Sequence, residues 1–200
     1  MKRYIPNVLL YGRLIFVFVI TALTLLRPPN SEYIVLSLMY TGIIADIFDG
    51  IIARKLNVST ENFRLLDTVF DLLFYFSILF FISSVNPKAI SENTILLWTI
   101  ILLESAMYLI SLAKFRKLPS PHAILSKFWG LYIIVEFTLL IIGVTGDHFT
   151  IALIIGTIVH VDRVLIYPLL RQWDHDIPSS YHAFLLRQGK SIKRKKIFNG

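Results

Sequence analysis

Six runs of about 20 mostly apolar residues, each long enough to cross a bilayer as a helix, constrain this chain more than any other feature. They cover Val8–Leu26, Tyr33–Leu56, Phe63–Ser83, Thr94–Ala113, Phe128–Val144 and Phe149–Leu170. Turn-forming clusters such as Arg27-Pro28-Pro29-Asn30, Asn86-Pro87 and Gly146-Asp147 separate them. Connections this short place successive helices antiparallel. The expected fold is an all-α integral membrane protein, a six-transmembrane-helix antiparallel bundle. Composition agrees: 56% of the residues are hydrophobic and 16% charged, with mean hydropathy +0.68, whereas a soluble domain carries about a quarter charged residues. The absence of cysteine excludes a disulfide scaffold, a thiolate zinc site and a cysteine nucleophile.

The first run lacks a small-residue cleavage site and others follow it, so it reads as a span rather than a signal peptide. Lys2, Arg3, Arg54, Lys55, Arg64, Lys114, Arg116, Lys117 and Lys127 fall in connections on one side of the membrane, with the C-terminal tail. Arg27 and Lys88 fall on the other. The positive-inside rule then puts both termini in the cytoplasm, in a bacterial-type inner or plasma membrane. Two regions follow from composition: residues 1–170 as the transmembrane domain and 171–200 as a basic cytoplasmic tail suited to anionic headgroups. The net charge of +7 is spread over span ends and this tail, a membrane pattern, so no nucleic-acid partner is expected.

The polar residues inside the spans carry the chemistry. Four of the aspartates lie between positions 46 and 71, as Asp46-x-x-Asp49-Gly50-x-x-Ala53-Arg54 and Asp67-x-x-x-Asp71. An aspartate at mid-membrane costs about 3 kcal/mol, so four need compensation by water, basic side chains or metal ions. Asp46 and Asp49 are one turn apart on a helix face that continues through Gly50, Ala53 and Arg54. Asp67 and Asp71 share a face of the next helix. Converging carboxylates repel unless cations lie between them, and hard oxygen ligands select magnesium, manganese or calcium. Two such ions would form a clamp suited to phosphoryl chemistry. Gly50 and Ala53 leave room beside the helix, and Arg54 offers a fork for phosphate oxygens.

With the eight residues between Arg54 and Phe63, this run resembles the CDP-alcohol phosphotransferase (CDP-alcohol phosphatidyltransferase) signature, DxxDGxxAR, eight residues, GxxxDxxxD. Pro6-Asn7-Val8-Leu9-Leu10-Tyr11-Gly12-Arg13 is similar to the family's PNxxTxxR opening. Two departures stand out: Phe63 in place of glycine and Leu10 in place of threonine. The resemblance implies that Asp46, Asp49 and Asp67 hold metal, with Asp71 on a second ion and acting as general base. It implies two divalent ions, Mg2+ or Mn2+. It also implies that Gly50, Ala53, Arg54 and Thr60 contact the nucleotide, with Asn7 closing that pocket, and that the protein is a homodimer.

Further ionisable residues lie in the later spans: Glu104, Glu136, His160, Asp162 and Arg163. Counted from their cytoplasmic ends, Asp46, Asp71, Glu104, Glu136 and Arg163 sit roughly 12 to 15 Å deep, which suggests a shared polar chamber. Arg163 needs a partner there, either Glu136 or a substrate phosphate. Lys114, Arg116, Lys117, His122 and Lys127 line the fourth-to-fifth connection, and Arg116, Lys117, His122, Lys127 and Arg163 form the expected acceptor site. The expected activity is phospholipid synthesis: transfer of a phosphatidyl group from CDP-diacylglycerol to a small alcohol, with release of CMP. Glycerol 3-phosphate is the favoured acceptor, with inositol phosphate or serine next. Rivals are a CDP-choline or CDP-ethanolamine phosphotransferase acting on diacylglycerol, a membrane prenyltransferase, and a non-catalytic transporter or scaffold. Prenyltransferases place their acidic motifs on distant helices, and transporters favour broken helices or repeats.

Overall fold

A computed structural model describes residues 5–56, 61–120 and 123–192, without the side-chain surroundings of residues 5, 50, 53–55, 61, 62 and 64. The described residues form helices only: α1 (Ile5–Leu26), α2 (Ser31–Lys55), α3 (Glu61–Val85), α4 (Pro87–Glu92), α5 (Thr94–Phe115), α6 (Ile124–Ile141), α7 (His148–Leu169) and α8 (Ser180–Arg187). Six of them, all but α4 and α8, are long and apolar enough to span a membrane. The all-α, six-span architecture legible in the sequence is the one the chain adopts. Many large apolar side chains, among them Ile15, Phe18, Leu102, Leu131 and Ile158, are exposed. In a membrane protein such surface faces lipid rather than water.

The helices group into two units: Met1–Ile90 with Phe137–Thr145, and Ser91–Glu136 with Gly146–Gly200. In the first unit α1 packs on both α2 and α3. The start of α1 meets the start of α3, where Leu10, Phe63 and Phe70 share a buried cluster. The end of α2 reaches the same level, so α2 runs antiparallel to both. Pro6 fits the first turn of α1, where its missing N–H costs nothing. Arg27 and Asn30, both in the left-handed region, turn the chain tightly into α2. Gly42 lets α2 approach α3 closely, since a Cβ there would collide with the ring of buried Phe74. Gly143 ends α6 at φ 84°, and the N–H of Val144 donates to Leu139 O at 2.9 Å, a Schellman-type close.

In the second unit α5 and α7 run parallel and α6 runs antiparallel to α7. The Trp129 indole N–H donates to Ala152 O at 2.9 Å and lies where any side chain at Gly156 would have to go. Helix α6 starts at Ile124, four residues ahead of the sequence expectation. Lys127 is tolerated in its first turns because a lysine stem can lie along apolar surface with its charge in water.

The C-terminal segment expected as a tail from Arg171 carries α8, which packs on α7. Ile177 and Ala183 are buried with Met107, Ile166, Tyr167 and Leu170. Asp162 of α7 accepts hydrogen bonds from the Ser180 N–H, at 3.0 Å, and from its hydroxyl, closing the N-terminus of α8. A carboxylate is favoured there by the helix dipole. Lys114 of α5 does the converse for α7, donating to the carbonyls of Tyr167, Pro168 and Leu170 at 3.3, 2.9 and 2.6 Å. These are orphan C-terminal acceptors. Lys114→Met should therefore destabilise the protein by about 1 to 2 kcal/mol, read as a lower thermal midpoint in detergent. An unchanged midpoint would show that water serves those carbonyls equally well.

Candidate metal centre

The two aspartate pairs arrive from α2 and α3, and the side chain between them comes from α1. Arg13 is 1% exposed. Its Nη2 lies 2.9 Å from Asp46 Oδ1 and donates to Asp49 Oδ2 at 2.6 Å. Its Nη1 lies 3.5 Å from Asp67 Oδ1 and also pairs with Asp71. One planar fork thus reaches all four carboxylates, a geometry that arginine supplies and lysine does not. Oxygens of Asp46, Asp49 and Asp67 lie within 4.8 Å of one another.

The four aspartates differ in environment. Asp49 is fully buried, while the side chains of Asp46, Asp67 and Asp71 keep 40%, 28% and 32% of their exposure. Asp49 is the most enclosed of the four, and the other three keep surface that a ligand could reach. Among the described residues compensation is incomplete: four carboxylates meet one guanidinium, and Asp49 Oδ1 is buried without a hydrogen-bond partner. A buried anionic oxygen left unpaired is costly. A hard divalent cation would satisfy it, so the donor set fits magnesium or manganese.

Arg13 is the site residue that sequence reasoning missed. It closes the PNxxTxxR-like opening, yet it received no role. The available signal was its place: an arginine five residues into the Val8–Leu26 run needs a partner, and the nearest acidic spans supply one.

The other expected site residues are less gathered. Gly50, Ala53 and Arg54 continue α2 beyond Asp49, with side-chain surroundings outside the description. Thr60 and His122 lie outside the described residues. Asn7 is exposed in the first turns of α1. In the second unit Arg163 is held by Glu104 through two contacts, at 2.8 and 3.1 Å. Its carboxylate partner is therefore not Glu136, which instead meets His148 Nδ1 at 2.5 Å. Glu136 sits beside the first residue of α7 and Glu104 beside its last third, so the two do not share a depth. The sequence count placed Glu136 too shallow because α6 begins earlier than expected. Lys117 and Arg116 are exposed, Lys117 stacking over the Trp173 ring at 4.8 Å. Lys127 is exposed on α6.

Six helices long enough to span a membrane, with acidic side chains converging from two of them, define an integral membrane protein carrying a donor set that fits hard divalent ions. The CDP-alcohol phosphatidyltransferase family model matches residues 3–166, and the chain belongs to that family. No match is found among curated proteins or among solved structures. Membership makes it a transferase of substituted phosphate groups, passing a phosphatidyl-type group from a CDP-alcohol to an alcohol at the membrane.

Proposed function

We propose that this protein transfers a phosphatidyl group from CDP-diacylglycerol to a small alcohol and releases CMP, using two divalent ions. The convergence of Asp46, Asp49, Asp67 and Asp71 carries this reading, together with family membership. Asp46, Asp49 and Asp67 would hold metal, with Asp71 on a second ion. When bound, Mg2+ or Mn2+ supplies positive charge to the pyrophosphate and its departing half. Arg54, Gly50, Ala53, Thr60 and Asn7 are the proposed nucleotide contacts, Arg54 toward the pyrophosphate.

The chain's own part in the chemistry is proton transfer and placement. Asp71 accepts the proton of the acceptor hydroxyl through a carboxylate oxygen. The acceptor oxygen bonds to the phosphorus that carries diacylglycerol, and the bond from that phosphorus to the CMP oxygen breaks. A carboxylate near cations is a weak base, so its placement counts for more than its basicity. Exposed Arg116, Lys117 and Lys127, with His122 and Arg163, are the proposed acceptor residues and favour a phosphorylated alcohol such as glycerol 3-phosphate. The basic side chains grouped on one side support a cytoplasmic site with cytoplasmic termini and tail. A homodimer is proposed from the family resemblance.

The test is direct. Purified protein is incubated with CDP-diacylglycerol and labelled glycerol 3-phosphate, inositol phosphate or serine, with Mn2+ or with EDTA. CMP and one labelled phospholipid should appear with metal and vanish without it. Product formed only from CDP-choline or CDP-ethanolamine plus diacylglycerol would replace this reading with its rival. CMP release that persists in EDTA would remove the metal mechanism.

A further inference from the structure

We infer that the Arg13 guanidinium is a built-in placeholder cation: it holds one oxygen of each of the four aspartates, and it must give up those oxygens to a divalent ion that takes them. The inference rests on the metal-centre reading above and adds a role for a side chain which that reading does not use.

The geometry sets the two occupants against each other. Arg13 Nη2 lies 2.9 and 2.6 Å from Asp46 Oδ1 and Asp49 Oδ2. A divalent ion coordinates carboxylate oxygens more closely than that, so an ion that took these two oxygens would need the ground the nitrogen holds. An ion held through the other oxygens of the same carboxylates, Asp49 Oδ1 among them, would still meet a like charge beside it.

Electrostatics explains why a placeholder is useful. Intramembrane carboxylates on two helices push those helices apart or draw in water. Arginine presents its donors in a planar fork, and here that fork ties α2 to α3. Electrostatics also explains why it gives way. Among the described residues Arg13 offsets one of four negative charges, and neither Asp49 Oδ1 nor Arg13 Nε has a hydrogen-bond partner. The network is only part-satisfied, and such networks are held less firmly than complete ones. A doubly charged ion compensates the same oxygens better. Ion affinity then includes the cost of expelling the guanidinium, so Arg13 sets the threshold for metal loading.

The experiment measures Mn2+ binding by electron paramagnetic resonance in nanodiscs, without substrate, alongside thermal midpoints in EDTA and in Mn2+. Arg13→Gln should bind Mn2+ about tenfold more tightly than the unaltered protein, since one like-charge competitor is gone. Its midpoint should fall in EDTA and recover in Mn2+. Folding of Arg13→Gln only when Mn2+ is present would support the same conclusion. Mn2+ affinity equal to or weaker than that of the unaltered protein would overturn it. Should Arg13→Gln fail to fold under both conditions, Arg13→Lys decides: it keeps the charge but loses the fork, and should also bind Mn2+ more tightly, with a lower EDTA midpoint. Unchanged affinity in Arg13→Lys would then sink the inference. Asp49→Asn separates the two levels of argument. If Asp49→Asn leaves Mn2+ affinity unchanged, the metal-centre reading fails. If Asp49→Asn weakens it while Arg13→Gln and Arg13→Lys leave affinity unchanged, the placeholder alone fails.

Discussion

Replacing Asp71 with asparagine lowers CMP release by about 10²- to 10⁴-fold, the span by which a positioned general base accelerates proton transfer. Asparagine keeps the size of the side chain and one oxygen able to accept from Arg13, but it cannot take a proton. The fold should survive. Asp71 is part-exposed, and removing one of four clustered negative charges relieves repulsion. The thermal midpoint in EDTA is therefore expected to stay level or rise, opposite in sign to Arg13→Gln. A second comparison separates base from ligand. Asp49→Asn removes a buried oxygen from the proposed metal set, so its defect should shrink as Mn2+ is raised. The Asp71→Asn defect should remain at saturating Mn2+, because no added ion replaces a proton acceptor. Activity of Asp71→Asn within a few-fold of the unaltered enzyme would remove the assigned base, and full recovery at high Mn2+ would reduce Asp71 to a ligand.

The sequence made the spans legible because a bilayer imposes one rule, that backbone polar groups be satisfied inside each segment, and so every crossing leaves a run of fixed length. The aspartates were legible for the same reason: four acidic groups in apolar helices must be compensated, and helical spacing assigns each pair to one face. What spacing could not give was the compensating group. Metal ions and a basic side chain were both open, and Arg13 stands on a different helix, 33 positions before Asp46. No local pattern records which helix faces which. Pairings in the second unit were hidden likewise. Arg163 meets Glu104 rather than Glu136 because depth depends on where α6 begins, and helix ends are the least certain part of a pattern reading. Lys114 shows a further limit. A loop lysine carries the same topological charge whether it faces a substrate or caps α7, and only the three carbonyls around its Nζ decide between them.

Phe63→Gly, which restores the glycine of the family pattern, should destabilise this chain by about 3 kcal/mol, the order for removing a buried aromatic ring. Phe63 is 8% exposed and shares a cluster with Leu10 and Phe70. It lies near the end of its span, where transfer to water contributes part of the cost. Within lipid that transfer term fades, but the void and the lost dispersion contacts remain. Glycine inside α3 adds about 1 kcal/mol more through backbone entropy. Leu10 matters because it is the second departure from the family pattern and belongs to the same buried cluster as the first. A threonine on α1 and a glycine on α3 become a leucine and a phenylalanine that fill the space together. The two changes should therefore be coupled. Leu10→Thr alone loses contact with Phe63 and leaves a hydroxyl among apolar groups. In a Phe63→Gly background that contact is already gone, so Leu10→Thr should cost about 1 kcal/mol less there, within the usual range for touching residues. Unfolding of the four proteins in mixed detergent measures the cycle. Additive losses would mean that Leu10 and Phe63 do not support each other, and that the start of α1 is held to α3 by the carboxylates and Arg13 rather than by this apolar plug.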